Sequence, residues 1–266
     1  MLEDNGTTGP TASEPPPPGV MISRGVTPRI PAGGLVIGFG ADGKQSMRVE
    51  KFELALDVCP IWLEIAAGHL DVAKSASERL RSTVQSSDQA RVGQDIEEEF
   101  RASIQSVVAS AVAVESMYAS LRLHNVVDAA TRKSWRDNKT ARYVQVAETV
   151  RRAFRIKDED SMAIRRALKD LYDARDNSVH PDGDFAAPLW HPDARVFVAE
   201  FLATFRYPNA RQLAGIAPSL VAQCSRRANL VDGELRSYCE AMQEMIAPVL
   251  ERWESAHGRL FERDAG

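Results

Sequence analysis

Two side chains in the run "LYDARDNSVHP", Leu171 to Pro181, have the types and spacing to handle a phosphodiester. Arg175 carries a permanent planar charge that suits a phosphate, and histidine, here His180, is the residue type that exchanges a proton near neutrality. Asp176 stands four residues before His180, so a persisting last helical turn would let its carboxylate accept from the imidazole and fix the tautomer. Asn177, next in the chain, is a supporting polar group. An arginine, a polar orienter and a histidine suffice to cleave RNA without a metal. The histidine moves the proton of the 2′-hydroxyl or of the leaving group, and the guanidinium holds the phosphate charge. The histidines at 69, 124, 180, 191 and 257 are too scattered for metal-ligand spacing, so neither metal nor cofactor is expected.

The elements that must position these groups are helices. With Ile164 at 0° and 100° per residue, Leu168, Leu171 and Arg175 fall on one stripe, placing the arginine in the middle of an apolar face. The run "DIEEEFRASIQSVVASAVAVESMYASLRLH" is the strongest helix of the chain, and Glu115 falls at the centre of its apolar face in the same way. A buried unpaired charge costs several kcal/mol, so the economical expectation is that Glu115 and Arg175 meet or share a polar cavity.

Arg175, the adjacent Asp176 and His180 after four intervening residues, late in a helical chain, resemble the R-x4-6-H signature of HEPN domains. "SAVAVESMYASL", Ser110 to Leu121, is similar to the small-residue-and-Glu helix of those bundles. The resemblance covers roughly Phe100 to Pro181. It implies a four- to five-helix bundle that commonly dimerises and, in many members, a metal-independent ribonuclease of toxin, antiviral-defence or RNA-processing systems. Other members are binding or scaffold modules. It implies Arg175 as the phosphate-binding arginine, Asp176 as the polar position and His180 as the catalytic histidine. Glu115 is a support inferred from its placement.

Nine basic residues lie between Thr131 and Lys157, opposed only by Asp137 and Glu148, in a chain of net charge −4. Arg132, Lys133, Arg136, Lys139, Arg142, Arg151 and Arg152 are the expected RNA contacts, Arg165 and Arg166 extend the patch, and Trp135 and Tyr143 are aromatic groups that could stack on bases. The expected partners are RNA (tRNA or mRNA), a second copy of the chain, and an antitoxin protein if the setting is a toxin pair. A catalytically silent interaction module is the alternative.

Over the rest of the chain the expectation is all-α: about six to eight helices with a HEPN-like core near residues 90–185 and C-terminal helices over 195–262. Residues 1–48 read as a disordered Pro/Gly-rich leader with a short strand at Leu35–Phe39, and 49–266 as the helical domain. Val196–Val198 is a second possible strand. The helical period is read from Glu50, with Pro60 breaking or kinking it and Pro248 kinking or dividing the last helix. Gly38, Gly43 and Lys44 approach a phosphate loop, but Gln45 replaces the metal-binding hydroxyl, and a turn after a strand is the better reading. Three scattered cysteines, no apolar leader and no apolar run of membrane length point to a cytoplasmic chain with reduced thiols.

Overall fold

The computed structural model describes residues 26–30, 32–39, 42–51, 53–86, 88–180, 187–231 and 233–260. Most of the expected leader, and Pro181 at the end of the Arg–His run, lie outside the described residues. The chain divides into two units, Met1–Leu54 and Ala55–Gly266.

The strands β1 (Val26–Arg29), β2 (Leu35–Phe39), β3 (Gln45–Val49) and β4 (Glu53–Leu56) form two-stranded pairs, β1 with β4 and β2 with β3. In the β2–β3 hairpin Leu35 opposes Val49 and Phe39 opposes Gln45. Its turn places Gly43 at φ +76°, and the Asp42 carboxylate accepts from the Lys44 amide at 3.1 Å. The glycine-rich run therefore leads from strand to strand. A phosphate loop needs a helix there, whose N-terminal amides would hold the anion, so that reading ends.

The second unit holds α1 (Cys59–Thr83), α2 (Gln89–Leu123), α3 (Ala129–Asp137), α4 (Arg142–Ala153) and α5 (Asp158–Val179). A hairpin of β5 (Leu189–His191) and β6 (Val196–Val198) follows, then α6 (Glu200–Thr204), α7 (Tyr207–Ser225) and α8 (Gly233–His257). With eight α-helices and only small sheets among the described residues, the all-α expectation holds. Both possible strands are present, and the hairpin takes the start of the stretch read as C-terminal helix.

Two helix starts and one internal proline differ from the periodic reading, each for a local reason. The helical pattern assigned from Glu50 begins only at Cys59, after β4, because Pro60 occupies the first turn, where its fixed φ helps and its missing N–H costs nothing. Asp57 accepts from the Cys59 amide at 2.8 Å. The α2 helix starts before "DIEEE", capped by Asp88, which accepts from the Arg91 amide at 3.1 Å. Pro248 does not divide α8: it and Glu244 are exposed, so the carbonyl deprived of its donor faces water.

The core lies along α2. This helix packs most extensively on α1 and next on α7, and alanines at Ala66, Ala67, Ala111 and Ala113 let the backbones come close. By length and composition α2 could cross a bilayer, with mean hydropathy 1.3 in its most apolar window, but 56% of that window is buried among neighbouring helices. Pro218 lies inside α7 and cannot donate to the Ala214 carbonyl one turn back; the Ser110 hydroxyl of α2 donates to it instead, at 3.0 Å. Cys59, Cys224 and Cys239 are buried free thiols, and burial first of all pushes Cys239 up to about 11.

Candidate functional site

The α5 helix begins on Asp158, Glu159 and Asp160, acidic residues that its dipole favours there. Its inner stripe buries Leu168, Leu171 and Tyr172, with Ile164 and Ala174 packed against the core at partial exposure. Arg175 continues this stripe with its side chain 29% exposed, as the helical period requires. Its guanidinium lies 4.9 Å from the centroid of the Tyr172 ring, and its Nε donates to Asp176 Oδ1 at 2.9 Å.

Glu115 and Arg175 meet through Tyr172 rather than directly. Glu115 Oε1 accepts from the Tyr172 hydroxyl at 2.8 Å and faces Arg142 Nε at 3.5 Å. Tyr172 sits one turn before Arg175, so a single side chain offers its hydroxyl to the carboxylate and its face to the guanidinium. Burial first, and then the Glu115 charge, push the Tyr172 hydroxyl far above its ordinary range, so it stays protonated and donates.

At the end of α5 the His180 amide donates to the Asp176 carbonyl at 2.8 Å, so helical bonding reaches the histidine. The backbone then leaves the helix at φ −128° and ψ 67°, and the imidazole is exposed. Asp176 thus serves His180 through its backbone, while its carboxylate is taken by Arg175; the expected carboxylate–imidazole bond gives way to the shorter reach. Asn177 is exposed. On helical geometry, Arg175 and His180 point about 140° apart with roughly 7.5 Å of rise between them.

The basic stretch separates into free and paired charges. Helix α3 is capped by Asp128, which accepts from the Thr131 amide at 2.7 Å, and it buries no residue. Its Arg132, Lys133 and Arg136, and Lys139 just beyond it at φ 49°, have no acidic partner among the described residues. Arg151 and Arg152 instead close on Glu148, with Nε distances of 2.7 and 2.6 Å, and Arg142 faces Glu115. Arg165 and Arg166 are exposed. Trp135 is partly buried, and Tyr143 packs against the core, which removes most of its ring from stacking.

The residues that the sequence reading missed are Tyr118 and Arg122. The buried Tyr118 ring has the guanidinium carbons of Arg142 and Arg122 at 5.3 and 5.7 Å from its centroid. Its hydroxyl donates to Gln145 Oε1 at 3.4 Å. Arg122 follows Tyr118 by four residues, a helical spacing that signals this contact; the approach of Arg142 from α4 has no local signal. No family model, curated protein or solved structure matches the chain.

Proposed function

We propose that the end of α5 is the reactive segment of a metal-independent endoribonuclease of HEPN type, acting in the cytoplasm in a toxin or antiviral-defence setting. The observation that carries this reading is the contrast between its two groups. Arg175 is held partly buried by the Tyr172 face and Asp176, a fixed charge of the kind a phosphate clamp requires, while His180 is exposed at the helix end, open to a substrate. In this reading Arg175 binds the scissile phosphate, with Asp176 releasing or sharing its donors. His180 moves the proton of the 2′-hydroxyl or of the departing 5′-oxygen, and the cleavage leaves a 2′,3′-cyclic phosphate. In-line displacement wants an acid and a base on opposite sides of phosphorus, and one copy offers a single histidine here. A homodimer with the two Arg175–His180 segments opposed across a two-fold axis supplies both.

A second reading, a silent HEPN-like interaction module, is favoured by the Arg175–Asp176 pair, which already engages the Nε and Nη2 donors of the guanidinium. Total RNA and tRNA incubated with the parent protein in EDTA decide between the two. Cleavage to cyclic-phosphate ends that His180→Ala abolishes, at an unchanged melting temperature, supports the nuclease. No cleavage leaves the interaction module, and full cleavage by His180→Ala overturns the assignment of His180.

A further inference from the structure

We infer that Arg122 and Arg142, both resting on the ring of Tyr118, form a second phosphate subsite that holds the backbone of a single-stranded RNA beside Arg175. The inference rests on the reading of this face as an RNA site and extends it to groups that the Arg–His run does not contain.

The charge balance argues for an anion. Arg122, Arg142 and Arg175 converge on two buried tyrosine rings, Tyr118 and Tyr172, that belong to one network across α2, α4 and α5. Against these three cations stand Glu115, which already accepts from Tyr172, and Asp176, which is taken by Arg175. Arg142 reaches Glu115 and Gln145 Oε1 only at 3.5 and 3.4 Å, and Arg122 has no acidic partner among the described residues. Two like charges on one ring with a single loose carboxylate between them leave positive charge to be neutralised. A guanidinium lying on a ring keeps its in-plane N–H edge free for a bidentate phosphate.

Continuity argues for a chain rather than a lone ion. Gln145, which accepts from Tyr118, donates to the Thr140 carbonyl at 2.7 Å and so ties this cluster to the loop that carries Lys139. Arg132, Lys133 and Arg136, which have no acidic partner among the described residues, precede it on α3. Arg175, Arg142, Arg122 and the α3 cations together make a string of positive charge suited to successive phosphates, with aromatic faces among them.

The test uses the full chain and a fluorescent 2′-O-methyl oligonucleotide, which lacks the attacking hydroxyl and stays uncut. Anisotropy is followed across a salt series for the parent, Arg122→Gln, Arg142→Gln and, as control, Arg252→Gln, whose arginine is paired with Asp71 elsewhere on the fold. Each of the first two should weaken binding about three- to tenfold and lower the salt slope by about 0.7, one phosphate contact on a single strand. Arg252→Gln should change neither. Unchanged affinity and slope in Arg122→Gln overturns the subsite, and this variant decides alone, because it strands no carboxylate and its folding is not in question. Weakened binding by Arg122→Gln in a protein that never cuts native RNA keeps the subsite and discards the nuclease.

Discussion

Replacing Glu148 by Gln tests whether the basic stretch is partly neutralised by its own fold. The carboxylate accepts from Arg151 Nε at 2.7 Å, Arg151 Nη2 at 2.8 Å and Arg152 Nε at 2.6 Å. The Arg151 hydrogen bonds first, and then those of Arg152, hold its pKa at about 2 against an ordinary 4.5. At full value such a depression is worth roughly 3 kcal/mol. The two arginine side chains are 34% and 35% exposed, so solvent and salt screening reduce the expectation to about 1–2 kcal/mol. For a domain of this size that is a melting-temperature loss of about 3–6 °C. Because the folded pKa lies below the unfolded one, the contribution is complete above pH 4.5 or so and is lost as the pH falls through about 2. Thermal unfolding followed by circular dichroism at pH 7, 4 and 2.5 should therefore show a gap between parent and Glu148→Gln that narrows with acid. The same substitution leaves Arg151 and Arg152 facing only Asp158 and Asp128, at 3.7 and 3.6 Å, and should tighten RNA binding at low salt while steepening its salt dependence. Equal melting temperatures at pH 7, or a gap of the same size at pH 2.5, would refute the reasoning.

Tyr172→Phe keeps the ring under Arg175 but withdraws the hydroxyl from Glu115; urea unfolding should show a loss of about 1–1.5 kcal/mol, and no measurable loss would mean that water replaces the bond without cost. Mixed dimers of parent and His180→Ala should retain far less than half the parent activity if two imidazoles serve one phosphate. An active monomer in sedimentation at assay concentration would reject the two-fold site.

Much of this architecture follows from periodicity and punctuation. The stripe Ile164, Leu168, Leu171 and Arg175 is where a 3.6-residue period puts it, because α5 lies on a core whose apolar side must face inward. The strands at Leu35–Phe39 and Val196–Val198 were readable from short branched and aromatic runs. A proline's effect depends on its position in the helix and on solvent, which the pattern does not carry: Pro60 starts a helix, and Pro248 rides on an exposed face without dividing α8. The pairing of Arg151 and Arg152 with Glu148 was legible as three- and four-residue spacing, yet a count of charges along the chain treats them as free. The partner of Glu115 was not legible. Its carboxylate is met by Tyr172 from α5 and Arg142 from α4, and only the packing of three helices brings those together.

The Ser110 hydroxyl on the Ala214 carbonyl has a consequence for how this sequence can drift. Ser110 is useful in proportion to Pro218, because an alanine at 218 would restore the backbone amide and leave the serine competing for an acceptor already used. The two positions, 108 residues apart and on different helices, are then not independent letters. Loss of the serine first strands a buried carbonyl, whereas loss of the proline first makes the serine dispensable, so one order of substitution is passable and the other obstructed. A chain descended from this one would keep the pair or shed the proline before the serine.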